Sequence, residues 1–295
     1  MMMLESFLTP TQSQLFKFIA KKFHGNAVGS KDNFILVKGI APILLVAHLD
    51  TVHAEPVKEI CKTSDGNIIM SPQGIGGDDR CGCYALNKIY ESAPVKPFLL
   101  FTCEEEVGGI GAQAFCDCFR KKLLPPELAQ LKLIVEIDRK GANDAVYYDC
   151  YNPDFEAYIT SKGFKTTYGS FSDISVIAPT LGIAAVNLSS GYYNPHKLNE
   201  YINRQELEHT ISRVIEIVAD SVNDDFPKFS YFNTYDFDDW DSYDSYLEPL
   251  PSEYEQIYSE LLEQYPEEEL EYLRRVYGNN VLHDIYLDLM FKEEK

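Results

Sequence analysis

The segment Phe101–Ala112, FTCEEEVGGIGA, constrains the chain more than any other. Leu99, Leu100, Phe101 and Thr102 close an apolar, strand-like run, three consecutive glutamates follow, and paired glycines open a helix-like stretch. A strand that hands its C-terminal end to a turn and then to a helix is the repeating unit of an α/β sheet. Ligands bind at that edge of an open sheet, so a triple carboxylate there points to metal or acid/base chemistry. The competing reading is a solvated acidic turn.

The rest of the chain repeats the unit. Apolar residues at Leu15, Phe16, Phe18, Ile19 and Phe23 have helical spacing, and Pro10 suits a first turn. Phe34–Val37 and Ile43–Ala47 read as neighbouring strands, the second delivering His48. Ser64-Asp65-Gly66-Asn67 reads as a tight turn between edge strands, followed by the glycine-rich loop GIGGDD and a helix from about Arg80 to Ser92. Leu131–Ile137 is a buried strand that delivers Asp138, and Ala145–Tyr148 and Ile183–Leu188 are further strands. Helices are expected at Gly111–Lys121, Phe155–Ser161 and Arg204–Val222. Strands alternating with helices predict a mostly parallel central sheet covered on both faces.

The formal charge is −20 in 295 residues, without a basic run, which disfavours nucleic acid and anionic membrane as partners. No stretch approaches the roughly 20 apolar residues of a membrane helix, and the start MMMLESFLTP lacks the pattern of a signal peptide, so a soluble, cytoplasmic protein is expected. Seven cysteines are an odd number and fall mostly in expected strands and helices, which reads as reduced, largely buried thiols. From Asp224 to Lys295 there are 20 acidic and 5 basic residues, so this segment carries −15 of the −20. We therefore expect a catalytic domain over residues 1–223 and an acidic, aromatic C-terminal extension over 224–295. Three short helices are expected in it, at Tyr254–Leu262, Glu267–Val276 and Val281–Phe291. Its acidic face is either a solvated surface or a site for a protein partner.

Five positions end or follow expected strands and loops with side chains that bind zinc well: His48, Asp78, Glu106, Asp138 and His196. Asp50, two residues beyond His48, is placed to hold the second imidazole nitrogen. Asp78 and Asp79 follow GIGG, where glycines permit close backbone approach, and either carboxylate could bridge two ions. Glu105 and Glu106 are adjacent, so their side chains diverge and can take different tasks.

These blocks together resemble the dinuclear zinc exopeptidase superfamily, which includes peptidase T, aminoacylase and carboxypeptidase branches and co-catalytic zinc aminopeptidases. HLDTV is similar to its H-x-D block, GGDDRCG to its GADDKAG block, EEEVGGIGA to its EEVGxxGA block, EID to its third-strand acid and NPHKLNEYI to its H-x-x-NE block. The resemblance spans roughly His48 to Ile202 with all five blocks in order. It implies that His48, Asp78 and Asp138 hold one zinc, that Asp78, Glu106 and His196 hold the other, and that Glu105 is the general base. Aligning GIG with the family's longer form makes Asp79 the bridge instead. Cobalt or manganese can replace zinc in such a site.

The resemblance further implies a three-layer zinc-exopeptidase-like fold. Only 57 residues separate Asp138 from His196, too few for the lid domain inserted there in the peptidase T and carboxypeptidase branches. Arg139, in the unusual run DRKG, could bind a substrate carboxylate or form an ion pair with Asp79 or Glu136. Tyr192 or Tyr193 could add a substrate hydrogen bond, Tyr193 being the candidate retained. The expected function is metal-dependent hydrolysis of an amide bond in a peptide or N-acyl amino acid, most simply by an aminopeptidase. The alternatives are an amidase or deacylase acting on a non-peptide substrate, and a noncatalytic relative that binds a peptide or partner.

Overall fold

The computed structural model describes residues 3–30, 33–233, 254–262 and 264–266, and the single positions Leu270, Leu273, Arg274, Leu282, Ile285 and Tyr286. Its centre is an eight-stranded sheet. In chain order the strands are β1 (Ala27–Ser30), β2 (Phe34–Val37), β3 (Ala41–His48), β6 (Pro97–Thr102), β7 (Leu133–Arg139), β8 (Asp144–Val146), β9 (Lys165–Thr166) and β10 (Ala185–Ser189). They lie in the order β1-β2-β6-β3-β7-β10-β8-β9. The four central strands β6, β3, β7 and β10 are parallel, whereas β2 joins β6 and β8 joins β10 in antiparallel fashion.

The central strands are near-continuous apolar runs because both faces are covered. Alternate residues serve the two faces. Ile43, Leu45, Ala47, Leu99, Phe101, Val135 and Ile137 face one core, shared with helices α2 (Gln12–Lys22), α3 (Gly77–Ser92), α5 (Pro153–Ser161) and α7 (Arg204–Ser221). Leu44, Val46, Phe98, Leu100 and Ile134 face the other, shared with α4 (Ile110–Arg120) and α6 (Ile174–Leu181). The result is the expected three-layer architecture. Residues 139–195 complete the sheet through β8, α5, β9, α6 and β10, so no lid is inserted there.

Local chemistry fixes the helix starts. Thr11 and Gln14 form a reciprocal capping box at α2, and Asn152 and Asn203 cap α5 and α7 through their side-chain oxygens. A short helix α1 (Glu5–Leu8) precedes α2, burying Phe7 and Leu8. Beside the main sheet lies an antiparallel four-stranded sheet in the order β11-β12-β5-β4, made of β4 (Cys61–Lys62), β5 (Ile68–Met70), β11 (Tyr192–Tyr193) and β12 (Tyr201–Asn203).

Two expectations are corrected, and one helix has no local signal in the sequence. Strands β2 and β3 are not neighbours, because β6 inserts between them and pairs with both. The helix α6 contains Pro179, and the run Pro179-Thr180-Leu181-Gly182 reads locally as a breaker, so nothing in the sequence announces it. The packed domain also runs past residue 223. Phe229 is buried against Phe155, Phe226 packs on Tyr158, and Ser230 and Asn233 bridge to Ile183 and Cys150. In the C-terminal region α8 (Glu255–Leu261) matches the first expected helix. The described residues Leu261, Leu270, Leu273, Leu282 and Ile285 bury one another, with Tyr168 of the main domain packed against them. Most of the other two expected helices, and the aromatic-acidic run Asp236–Tyr246, lie outside the described residues. None of the seven cysteines forms a disulfide, and Cys81, Cys83, Cys103 and Cys116 are buried. Among the described residues no helix is long and apolar enough to cross a membrane.

Candidate active site

The parallel register places the chemistry. His48 pairs with Thr102, so His48 and the turn carrying Glu104, Glu105 and Glu106 share one edge of the sheet. Val46 pairs with Glu136, which brings Asp138, two residues on, level with His48. Strand β3 is also where the chain order reverses, with β6 on one side and β7 on the other, the position at which an α/β sheet opens a crevice. His196 comes from a different element, the β11–β12 connection, in a left-handed conformation with φ of 63°.

At this edge Asp78 stands between the two imidazoles. Its Oδ1 lies 3.2 Å from His48 Nε2 and its Oδ2 lies 3.2 Å from His196 Nε2. Asp138 Oδ1 is 3.5 Å from His48 Nε2, and Glu106 Oε1 is 3.2 Å from His196 Nε2. Glu105 Oε2 is 4.0 Å from His48 Nε2. All five sequence-predicted ligands therefore meet, and ligand atoms of His48, Asp78 and Glu106 all fall within 4.8 Å of one another.

Asp79 does something else. Its carboxylate is fully buried and accepts from the backbone N–H groups of His48, at 3.3 Å, and Gly82, at 2.8 Å. A side chain at Gly82 would overlap that carboxylate and the Ile137 carbonyl, so the glycine permits α3 to press onto β7. The peptide between Asp78 and Asp79 is cis, and the two carboxylates part there, one toward the imidazoles and one into the fold.

Asp50 organises the other side. Its Oδ1 is 3.2 Å from His48 Nδ1, and its two oxygens accept from the backbone N–H groups of Glu105, at 3.1 Å, and Glu106, at 3.0 Å. One carboxylate thus fixes both the imidazole and the glutamate turn. Glu104, by contrast, turns away, its Oε1 accepting from Gln12 Nε2 at 2.6 Å.

Several carboxylates that the sequence does not single out support this arrangement. Glu200, fully buried, accepts from the backbone N–H groups of Gly76 and Asp78, both at 3.0 Å, and lies 2.8 Å from His53 Nε2. Asn187 accepts from the Asp138 N–H at 2.9 Å and donates to Ser172 Oγ and Tyr148 Oη. Ser172 donates to Glu136, and Thr102 donates to Asp173. Glu200 is the acid of the NPHKLNEYI block, so a local signal for it is present in the sequence. Asp173, in FSDIS, has no local signal because only the fold brings α6 over β6.

The two expected substrate contacts, unlike the five expected ligands, do not gather at the cluster. Tyr193 stacks on Tyr201 with ring centroids 4.9 Å apart and donates its hydroxyl to Glu206, so it faces α7 rather than the cluster. Tyr192 is the nearer residue, donating to the Asp138 carbonyl at 3.2 Å. Arg139 donates to the Tyr168 carbonyl at 2.9 Å and lies 4.0 Å from Asp144, not against Asp79 or Glu136. The cause is strand alternation, which sends Arg139 away from the side taken by Asp138.

The field in this crevice favours positive charge. Burial works against a charged His48, yet Asp138, Asp50 and Asp78 hold its pKa well above the usual imidazole range. Asp78 and Glu106 raise His196 to about 10. Burial also opposes ionisation of Asp78, but the two histidines keep its pKa low. Burial, together with Asp173, Glu106 and Asp78, pushes Glu105 up to about 8.

The residues fit metal ions. Charge-assisted N–H···O bonds usually span about 2.7–2.9 Å, whereas the four histidine–carboxylate approaches here are 3.2–3.5 Å. The edge of a tetrahedron around an ion with bonds of about 2.0 Å is about 3.3 Å, so these separations match ligand–ligand edges. Glu106 Oε1 and Asp138 Oδ1 are moreover buried without a hydrogen bond, as oxygens reserved for a cation would be.

No protein-family model matches the sequence, and no curated protein is significantly similar to it. Solved structures do share its fold. A tripeptidase from Staphylococcus aureus is 16% identical, with 74% of this chain and 97% of that chain covered and a TM-score of 0.55. The aminopeptidase PepT from Bacillus cereus is 14% identical, covering 75% and 98%, at 0.53. A glutaminyl cyclase from an Acidobacteriales bacterium is 13% identical, covering 73% and 91%, at 0.54, so the shared fold does not by itself fix the reaction. The chain shares the α/β fold of this tripeptidase and this aminopeptidase, the fold that its resemblance to zinc exopeptidases implies.

Proposed function

We propose that the chain is a dinuclear metallohydrolase that cleaves an amide bond next to a free amine, an aminopeptidase in the first instance. The observation that carries this reading is the position of Asp78, whose two oxygens each face a different histidine at 3.2 Å. His48, Asp78 and Asp138 would hold one zinc, and Asp78, Glu106 and His196 the other. Bound there, the ions would acidify a shared water and polarise the scissile carbonyl.

The chain's own residues then supply proton transfer and order. Glu105 takes a proton from the attacking water and returns it to the leaving amine, a task suited to a carboxyl placed beside the cluster, with Oε2 4.0 Å from His48 Nε2. Asp50 keeps Glu105 in place through its backbone N–H and keeps the His48 ring in register. Residues 139–195 hold no lid domain that could carry a binder for a substrate carboxylate, which favours recognition of the residue on the amine side. The fold's similarity to a tripeptidase and to PepT supports peptides as the substrate class.

Glu105→Gln tests the reading. Zinc content should remain near wild type while turnover of leucine amide or a leucyl dipeptide falls by about 100- to 10,000-fold. A zinc-loaded wild type that cleaves no aminoacyl amide, or a variant with near-normal turnover, would sink it. Faster cleavage of N-acetylated than of free-amine substrates would favour the deacylase alternative.

A further inference from the structure

A cavity of about 510 Å³ opens beside the cluster, reaching it through Asp50 and Glu106. Its far wall is the N-terminal segment, with Leu8, Pro10 and Gln12 in the lining. That wall is anchored to the domain. Arg80, nearly buried, donates through Nη1 to the carbonyls of Phe7, at 2.9 Å, and Pro10, at 2.8 Å. Gln12 and Glu104 exchange two hydrogen bonds, Gln12 Nε2 to Glu104 Oε1 at 2.6 Å and Glu104 N–H to Gln12 Oε1 at 3.3 Å.

The cavity's charges do not cancel in the usual way. Among its lining residues Asp50 is engaged with His48 and the glutamate turn, Glu106 with His196, and Glu55 with Lys58. Arg80 is the lining's one permanent cation, and its Nη1 is committed to main-chain carbonyls. Glu104 is left with a neutral amide as its side-chain partner. A part-buried carboxylate held by a neutral donor, within walls made by Leu8, Val57 and Ile75, is short of a cation.

We propose that Glu104 is a specificity residue that receives the cationic tip of a lysine or arginine side chain on the amine side of the scissile bond, with the apolar walls taking the stem. This rests on the reading of the cluster as a hydrolytic centre. The spacing is compatible. Glu104 and Glu106 both line the cavity and are two residues apart, at most about 7.6 Å between Cα atoms. A residue whose carbonyl lies at Glu105 and Glu106 can therefore reach Glu104 with a four-carbon stem. The substrate's α-ammonium is a second source of the same chemistry, and the test separates the two.

The test is calorimetric binding of lysinamide and norleucinamide to the full-length protein, followed by turnover of the matching aminoacyl substrates. Both ligands carry the α-amine and differ only in the charged tip. We expect wild type to bind lysinamide about 10- to 100-fold more tightly than norleucinamide, and Glu104→Gln to bring that ratio to about one. Glu104→Lys, checked for folding by its melting temperature, should reverse the order. A wild-type ratio near one overturns the proposal. So does a Glu104→Gln protein that weakens both ligands equally, which would assign the carboxylate to the α-ammonium. If the ratio behaves as expected but no aminoacyl substrate is turned over, the binding site stands and the hydrolytic reading fails instead.

Discussion

Glu200 accepts a hydrogen bond from the backbone N–H of Asp78 at 3.0 Å, so a carboxylate that touches neither imidazole of the cluster sets the angle at which Asp78 meets both. The same side chain holds Gly76 and His53, leaving its two oxygens surrounded by donors. Glu200→Gln keeps the shape but turns one oxygen into a donor that faces other donors. We expect zinc affinity to fall by about 10- to 100-fold with the fold intact, as measured by competition with a chromogenic chelator. Unchanged affinity would show that the Asp78 turn holds itself.

Stability of the metal-free protein should depend on pH in a defined direction. His196 is raised from an ordinary value of 6.5 to about 10, so the folded state holds a proton that the unfolded chain releases. That contribution is fully present below pH 6.5 and is lost as the pH rises through about 10. Glu105, raised from 4.5 to about 8, has the same sign, since its folded form also binds the proton more tightly. The melting temperature of chelator-treated protein should thus fall between pH 6.5 and 10. Added zinc, which displaces these protons, should restore it most at the upper end. A metal-free melting temperature that rises across this range would contradict the electrostatic account of the crevice.

The segment after α7 is structural. Phe229 is buried, stacks on Tyr158, and packs tilted against Phe155 and edge-on against Phe226. Phe229→Ala should cost about 3–5 kcal/mol in chemical denaturation. Truncation at Asp224 removes the same ring and should be more severe. A protein cut at residue 224 that melts like the full chain would show that this aromatic group is dispensable.

Much of this was legible in the sequence, and the limits have physical causes. The strands that deliver His48, Glu105 and Asp138 are mostly apolar runs that lead into polar residues, and burial on both faces leaves few other ways to place them. The choice between Asp78 and Asp79 is not legible, because adjacent carboxylates differ only in which way the backbone turns them. Asp79 is taken up by the His48 and Gly82 N–H groups, a contact between segments 31 residues apart. Strand order is likewise nonlocal, which is why β6 between β2 and β3 cannot be read from their spacing. Tyr193 shows the reverse error: near His196 in sequence, it lies on the preceding strand β11, where Glu206 and Tyr201 claim it.

The central claim is that Asp78 is shared by two metal positions, and metal stoichiometry tests it most directly. Zinc titration of the chelator-treated protein, read by calorimetry and elemental analysis, should give two ions per chain in the wild type. Asp78→Asn should lose tight binding at both positions together, because each position draws one ligand from the same carboxylate. A wild type saturating at one ion, or an Asp78→Asn protein that still holds two, would contradict the account.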